Sequence, residues 1–216
     1  MIIFVDFLPL FATQFQKTMI NYSEIFSGQG MDYLSYRALI DRLLLEGKAT
    51  GDVTYDLHYT KMNVQRMSRV DKTVSLTDEL LLSIKQLQEN YKFLVITEGW
   101  CGDAAQIVPV FNKIATASLG KIELKFVLRD KNLPLIDAHL TNGGRAIPVL
   151  LVLDETGDKV LASWAPRPQV LQQLLKEWRK ETSEMTILSE KLHSWYAKDK
   201  TQTTQAELNT LLKGLA

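Results

Sequence analysis

The chain has 216 residues, with 25 lysines and arginines against 25 aspartates and glutamates, a single cysteine and an average apolar content. The charge balance excludes a global field that would steer nucleic acid, and no block of like charge marks a membrane-binding or nucleic-acid tail. One cysteine excludes an intramolecular disulfide and a cysteine-based zinc site and fits a reducing compartment, the cytoplasm, while the length fits one compact core with extensions.

Residues 1–12 are apolar, but they lack a basic start, are interrupted by Asp6 and Pro9 and are too short to span a bilayer, so they read as neither signal nor anchor. Met19 and Met31 offer alternative starts and the helical pattern begins only after Met31; residues 1–30 therefore read as a leader, flexible or a start-site artefact. Residues 31–74 read as a helical extension. Tyr36, Leu39, Ile40, Leu43 and Leu44 recur at helical spacing over residues 33–46, and Gly47 is placed to stop that helix. After a turn at residues 48–52, Val53, Leu57, Val64 and Met67 share a face of a second helix that runs to Val70. Tyr55, Tyr59, Met62 and Met67 at that spacing read as core filler, and His58 is isolated from any second histidine or cysteine.

Ser75 or Thr77 can cap the next helix, which buries Leu80, Leu81, Ile84 and Leu87. Residues 92–97 are a β-branched, nearly unbroken apolar run, as expected for a strand buried on both faces. Glu98-Gly99 closes it, and from Ala104 the period changes to that of a helix burying Ile107, Val108, Phe111, Ile114 and Ala115. A second strand follows over Ile122–Leu128, parallel to the first through a right-handed crossover. Then come a short helix at residues 132–140, a loop at 141–145, a strand at 147–153, a hairpin turn at 154–158, a strand at 159–164 and a helix at 168–180. Met185, Leu188, Leu192 and Trp195 continue at helical spacing, residues 198–201 break the pattern, and Leu208, Leu211, Leu212 and Leu215 form a last helix. No linker separates these pieces, so the added helices are expected to dock on the core.

The strand-to-helix junction places Cys101 where free backbone N–H groups and the helix dipole favour a thiolate. Asp103 works against it, because a second negative charge nearby raises a thiol's pKa. Trp100-Cys101-Gly102-Asp103-Ala104 resembles the active-site segment of the thioredoxin superfamily, Trp-Cys-Gly-Pro-Cys, with Asp103 and Ala104 at its fourth and fifth positions. Pro109 matches that family's helix-kinking proline, and Ala146-Ile147-Pro148 resembles the Ile-Pro that begins its third core strand, where the resemblance implies a cis bond lying against Cys101. The run from Thr97 to Gln106, with the segments at residues 141–145 and 164–168, is similar to a bacterial subgroup called simply thioredoxin family protein. The fold class expected is α/β: a thioredoxin-like mixed sheet in β-α-β-α-β-β-α order over residues 75–181, flanked by helices, with helical extensions at 31–74 and 182–216.

Two functions from different classes fit. In the first, Cys101 is the catalytic nucleophile of a monothiol protein in redox homeostasis. Ala104 cannot resolve a mixed disulfide, so an outside low-molecular-weight thiol must do so. In the second, the fold is a non-catalytic binding module holding an extended peptide or protein partner near Trp100 and Pro148. Either way the binding residues are Trp100, Gly102, Asp103, Ala104, Arg145, Ile147 and Pro148, with Trp100 as a lid beside Cys101 and Trp164 at the core edge. The expected partners are a protein or a low-molecular-weight thiol or disulfide, with no nucleic acid and no membrane. No cofactor and no metal is expected, since the chain has neither a paired-histidine motif nor a glycine-rich phosphate loop.

Overall fold

The apolar run of residues 93–97 is the centre of the molecule because neighbours cover both of its faces. The computed structural model describes residues 20–51 and 57–215. The first nineteen residues of the expected leader lie outside this range, as do Val53 and Tyr55. Strand β1 (Tyr91–Thr97) is buried at every position from Phe93 to Thr97. It sits inside a four-stranded sheet of order β2-β1-β3-β4. β2 (Ile122–Leu128) runs parallel to it, Tyr91 opposite Ile122 and Thr97 opposite Leu128. β3 (Val149–Leu153), buried throughout, is antiparallel to β1, and β4 (Val160–Trp164) is antiparallel to β3 with a register shift at Val152/Leu153. This is the mixed sheet expected from the sequence.

The helices are α1 (Tyr22–Gln29), α2 (Tyr33–Leu45), α3 (Leu57–Thr73), α4 (Asp78–Gln86), α5 (Gly102–Ala117), α6 (Leu133–Asp137), α7 (Gln169–Glu181), α8 (Met185–Asp199) and α9 (Gln202–Lys213). Gly47 follows α2 at φ +70°, the left-handed stop its position predicts. Thr77 caps α4, its hydroxyl accepting from the Leu80 N–H. The expected helix at 132–140 is shorter, a 3-10 turn at Arg129–Lys131 followed by α6, and Asn142 and Gly143 turn the loop at positive φ. Met67 is core as expected, whereas Tyr59 is exposed.

α1 lies in the stretch read from sequence as leader. Its periodicity is weak because only Phe26 is buried. Phe26 anchors it in the core, and just after it Met31 and Phe126 exchange two backbone hydrogen bonds, of 2.9 and 2.7 Å, on the edge of β2. The chain passes so close there that a Cβ on Gly30 would lie 2.8 Å from the Lys125 Cβ. On α2, the Tyr36 ring stacks on Phe126 with centroids 5.2 Å apart.

The C-terminal helices dock through polar groups as well as leucines. Gln205 of α9 is fully buried; its amide donates to the Ser75 carbonyl at 3.0 Å and its oxygen accepts the Thr77 N–H at 2.8 Å. One side chain thus satisfies two backbone groups at the start of α4. No helix among the described residues is long and apolar enough to cross a membrane. Removing the amide strands both backbone groups, so Gln205→Ala is expected to lower unfolding free energy by about 2 kcal/mol, measured by urea denaturation.

Candidate functional site

β1 ends in a turn that the N-terminal helices hold. The Gly99 N–H donates to the buried Thr50 hydroxyl at 2.8 Å, and Asn63 of α3 donates to the Gly99 carbonyl at 3.2 Å. Ile40 of α2 packs so tightly that a Cβ at position 99 would lie 2.9 Å from it. The Cys101 N–H donates to the Glu98 carbonyl at 3.2 Å, which sets the cysteine as the N-cap of α5. Glu98 itself is fully buried, and its carboxylate accepts the Asp130 N–H at 3.0 Å. Burial raises its pKa.

Cys101 is 7% exposed. Its thiol donates to the Ile147 carbonyl at 3.3 Å, and its sulfur lies 3.5 Å from the Ala104 N–H. The Ile147-Pro148 bond is cis, and the loop lies against the sulfur as the resemblance implies. Burial pushes the thiol up to about 12, and the Asp103 charge pushes in the same direction. The Ala104 N–H and the Arg167 guanidinium pull the other way without winning. Burial of the sulfur therefore outweighs the helix-start argument for a thiolate.

Asp103 has a second role that the sequence reading lacks. Its carboxylate takes a fork from Arg167, Nε at 3.1 Å and Nη2 at 2.5 Å, and the Tyr196 hydroxyl donates to it at 2.6 Å. Arg167 comes from the β4–α7 loop and Tyr196 from α8, so one buried carboxylate ties three parts of the chain together. Burial, then Asp103, raises the pKa of the Tyr196 phenol well above its ordinary value, which keeps it a donor.

His193, three residues before Tyr196 on α8, lies on the same helical face. Its imidazole sits on Gly102 so closely that a Cβ there would be 2.9 Å from Cε1 and Nε2. Arg69 donates to the Gln106 oxygen at 2.9 Å, so the Gln106 amide turns its NH₂ to His193 Nδ1 at 3.4 Å. A proton on Nδ1 would face another donor. Burial, followed by the nearby Arg66, lowers the histidine to about 4.

These groups enclose a recess of about 290 Å³ between the motif, the loop before Pro148 and helices α7 and α8. Of the residues selected from sequence, Trp100, Cys101, Gly102, Asp103, Arg145 and Ile147 line it. Ala104 and Pro148 are buried and are not among the lining residues. Arg145 does not reach Cys101's partners; it makes an exposed fork to Asp137 at 2.6 and 2.8 Å. Trp100 is half-buried under the Arg129 guanidinium, 4.7 Å from its ring centroid, while Arg129 also meets Asp130 at 2.6 Å. Arg129, Arg167, Arg179, Ser189 and His193 are further polar residues of the lining, and the sequence reading did not select them as site residues. No group of three or more metal-ligating side chains occurs among the described residues.

A family model described as Thioredoxin matches residues 52–179. Among solved structures, the chain is similar to a protein of unknown function from Pseudomonas aeruginosa, at 20% identity and a TM-score of 0.63, covering 92% of this chain and 100% of that one. It is also similar to an HIV epitope-scaffold protein, at 17% identity and a TM-score of 0.60, covering 91% of this chain and 100% of the scaffold. A search of curated proteins found no match.

Asp103→Asn leaves Arg167 buried without its counter-charge and is expected to lower unfolding free energy by about 3 kcal/mol, with Tyr196→Phe costing about half as much; urea denaturation measures both. The neutral His193 gives a pH dependence of definite sign. The unfolded chain takes up the proton near 6.5 and the folded chain only near 4, so the stability that this group contributes is present above 6.5 and lost as the pH falls towards 4. His193→Gln is expected to flatten the decline of melting temperature across that window relative to the parent.

Proposed function

The chain belongs to the thioredoxin family, and on that premise we propose that it is a binding module of this fold in which Cys101 is not a redox thiol. The observation that carries this reading is the buried thiol donating its proton to the Ile147 carbonyl. Exchange needs a thiolate that a disulfide can approach along the sulfur axis. At Cys101 the proton is retained, the sulfur is enclosed and the fifth motif position is Ala104, which cannot release a mixed disulfide.

The monothiol reading assigns release of a mixed disulfide to an outside thiol, so what weighs against it is the retained proton and the enclosed sulfur. Its one favourable feature, the position of the cysteine at a helix start, is outweighed by desolvation. The Trp-Cys-Gly-Asp-Ala run is, on this reading, the mark of a subgroup in which a buried ion pair stands at the motif's proline position and an alanine follows where the second thiol would act. What remains of a thioredoxin site is a shaped recess. Its volume is at the low end of small-molecule pockets, which supports a small ligand better than an extended peptide or a protein surface. The single cysteine supports the cytoplasmic reading.

The test is the reactivity of the native thiol. With an aromatic disulfide reagent at pH 8, Cys101 is expected to react at least roughly a hundredfold more slowly in the folded protein than in urea, because both the thiolate fraction and access fall on folding. A native rate matching the unfolded one, or a rate that rises through an inflection below pH 8, overturns the proposal.

A further inference from the structure

We propose that the recess over Cys101 binds a small anionic amphiphile, a medium-chain monocarboxylate of roughly ten non-hydrogen atoms. This inference rests on the binding-module reading and names its ligand class. Two kinds of wall meet in the recess. One is cationic, from Arg129, Arg145, Arg167 and Arg179; the other is apolar, from Leu175 of α7 and Met185, Leu188 and Leu192 of α8. A purely apolar ligand would leave the first wall unused, and a small inorganic anion would leave the second.

The charges already present assign the head group. Asp103 is the single carboxylate in the lining among the described residues, and Arg167 and Tyr196 already hold it. His193 is neutral and adds no positive charge of its own. Arg129 and Arg145 each meet a carboxylate of the chain, Asp130 and Asp137. Arg179, exposed on α7, has no carboxylate at ion-pair distance among the described residues, and its guanidinium is the head-group partner. The tail lies along the leucines towards Met185, which is 69% exposed at the edge of the recess and whose thioether adapts to different shapes. The protonated thiol contributes a small apolar surface to the same lining; a thiolate there would repel the ligand. The size follows from the volume: about 290 Å³ at roughly 30 Å³ per water-sized group gives about ten heavy atoms, the size of octanoate.

Isothermal titration of the full chain with octanoate, 1-octanol and butyrate tests head and tail separately. Octanoate is expected to bind, 1-octanol about fivefold more weakly for want of the ion pair and butyrate about a hundredfold more weakly for want of four methylenes. Arg179→Gln, on an exposed position that leaves the core intact, is expected to weaken octanoate about fivefold and to leave 1-octanol unchanged. Ser189→Trp, which fills the recess from α8, is expected to abolish binding of both, with folding checked by circular dichroism. The proposal is overturned if octanoate shows no binding up to millimolar concentration, if 1-octanol binds equally well, or if Arg179→Gln leaves octanoate unaffected. Failure in these titrations with an inert Cys101 rejects the ligand class alone, whereas a fast native thiol rejects the binding-module reading itself.

Discussion

The carboxylate of Asp103 is the constraint on which the site depends. It lies in the first turn of α5 and is nearly out of water, where a lone charge is costly. Arg167 supplies the opposite charge and Tyr196 a neutral donor, and both must arrive from elsewhere in the chain. The β4–α7 loop and α8 are therefore positioned by the motif as much as they cover it. The third motif residue after tryptophan, which in the resembling family is a proline with no side-chain charge, here becomes the point where the C-terminal extension is fastened to the core.

That fastening also explains the state of the thiol. α8 lies against the first turn of α5 at Gly102, and the loop before Pro148 meets the sulfur at the Ile147 carbonyl. The sulfur is buried there, and desolvation outweighs the favourable N–H groups of the helix start. A carboxylate two residues away adds to the same effect. The features that make Cys101 look reactive in one dimension are local, whereas its burial depends on parts of the chain distant in sequence, the Ile147 carbonyl among them.

Much of the fold was legible because its signals are short-range. The alternation in β2, the unbroken apolar runs of β1 and β3 and the glycine after α2 each lie within a few residues of what they specify. Trp100, Cys101, Asp103 and Ile147 were legible as neighbours through the motif and the Ile-Pro pair. Arg167 and Tyr196 were not, since they meet Asp103 across 64 and 93 positions and carry no periodic signature of that meeting. Arg167 lay within a segment already noted for its resemblance, and His193 and Tyr196 share a helical face, so the signal existed but had no visible target. α1 escaped for a different reason: one buried residue, Phe26, sets up no period, and the backbone pairing of Met31 with Phe126 that follows depends on no side-chain pattern.

The contact between Gly102 and His193 has a consequence for how the recess meets a ligand. The glycine offers backbone alone, and the imidazole opposite is fixed by an amide whose own orientation Arg69 sets. Neither surface has rotamers left to lose. Conformational entropy at this end is therefore surrendered when the chain folds, not when a ligand enters, and an incoming molecule meets a wall whose shape is already decided. Such a wall discriminates by fit: it cannot yield to a ligand that is one group too large, and it need not be ordered around one that is the right size.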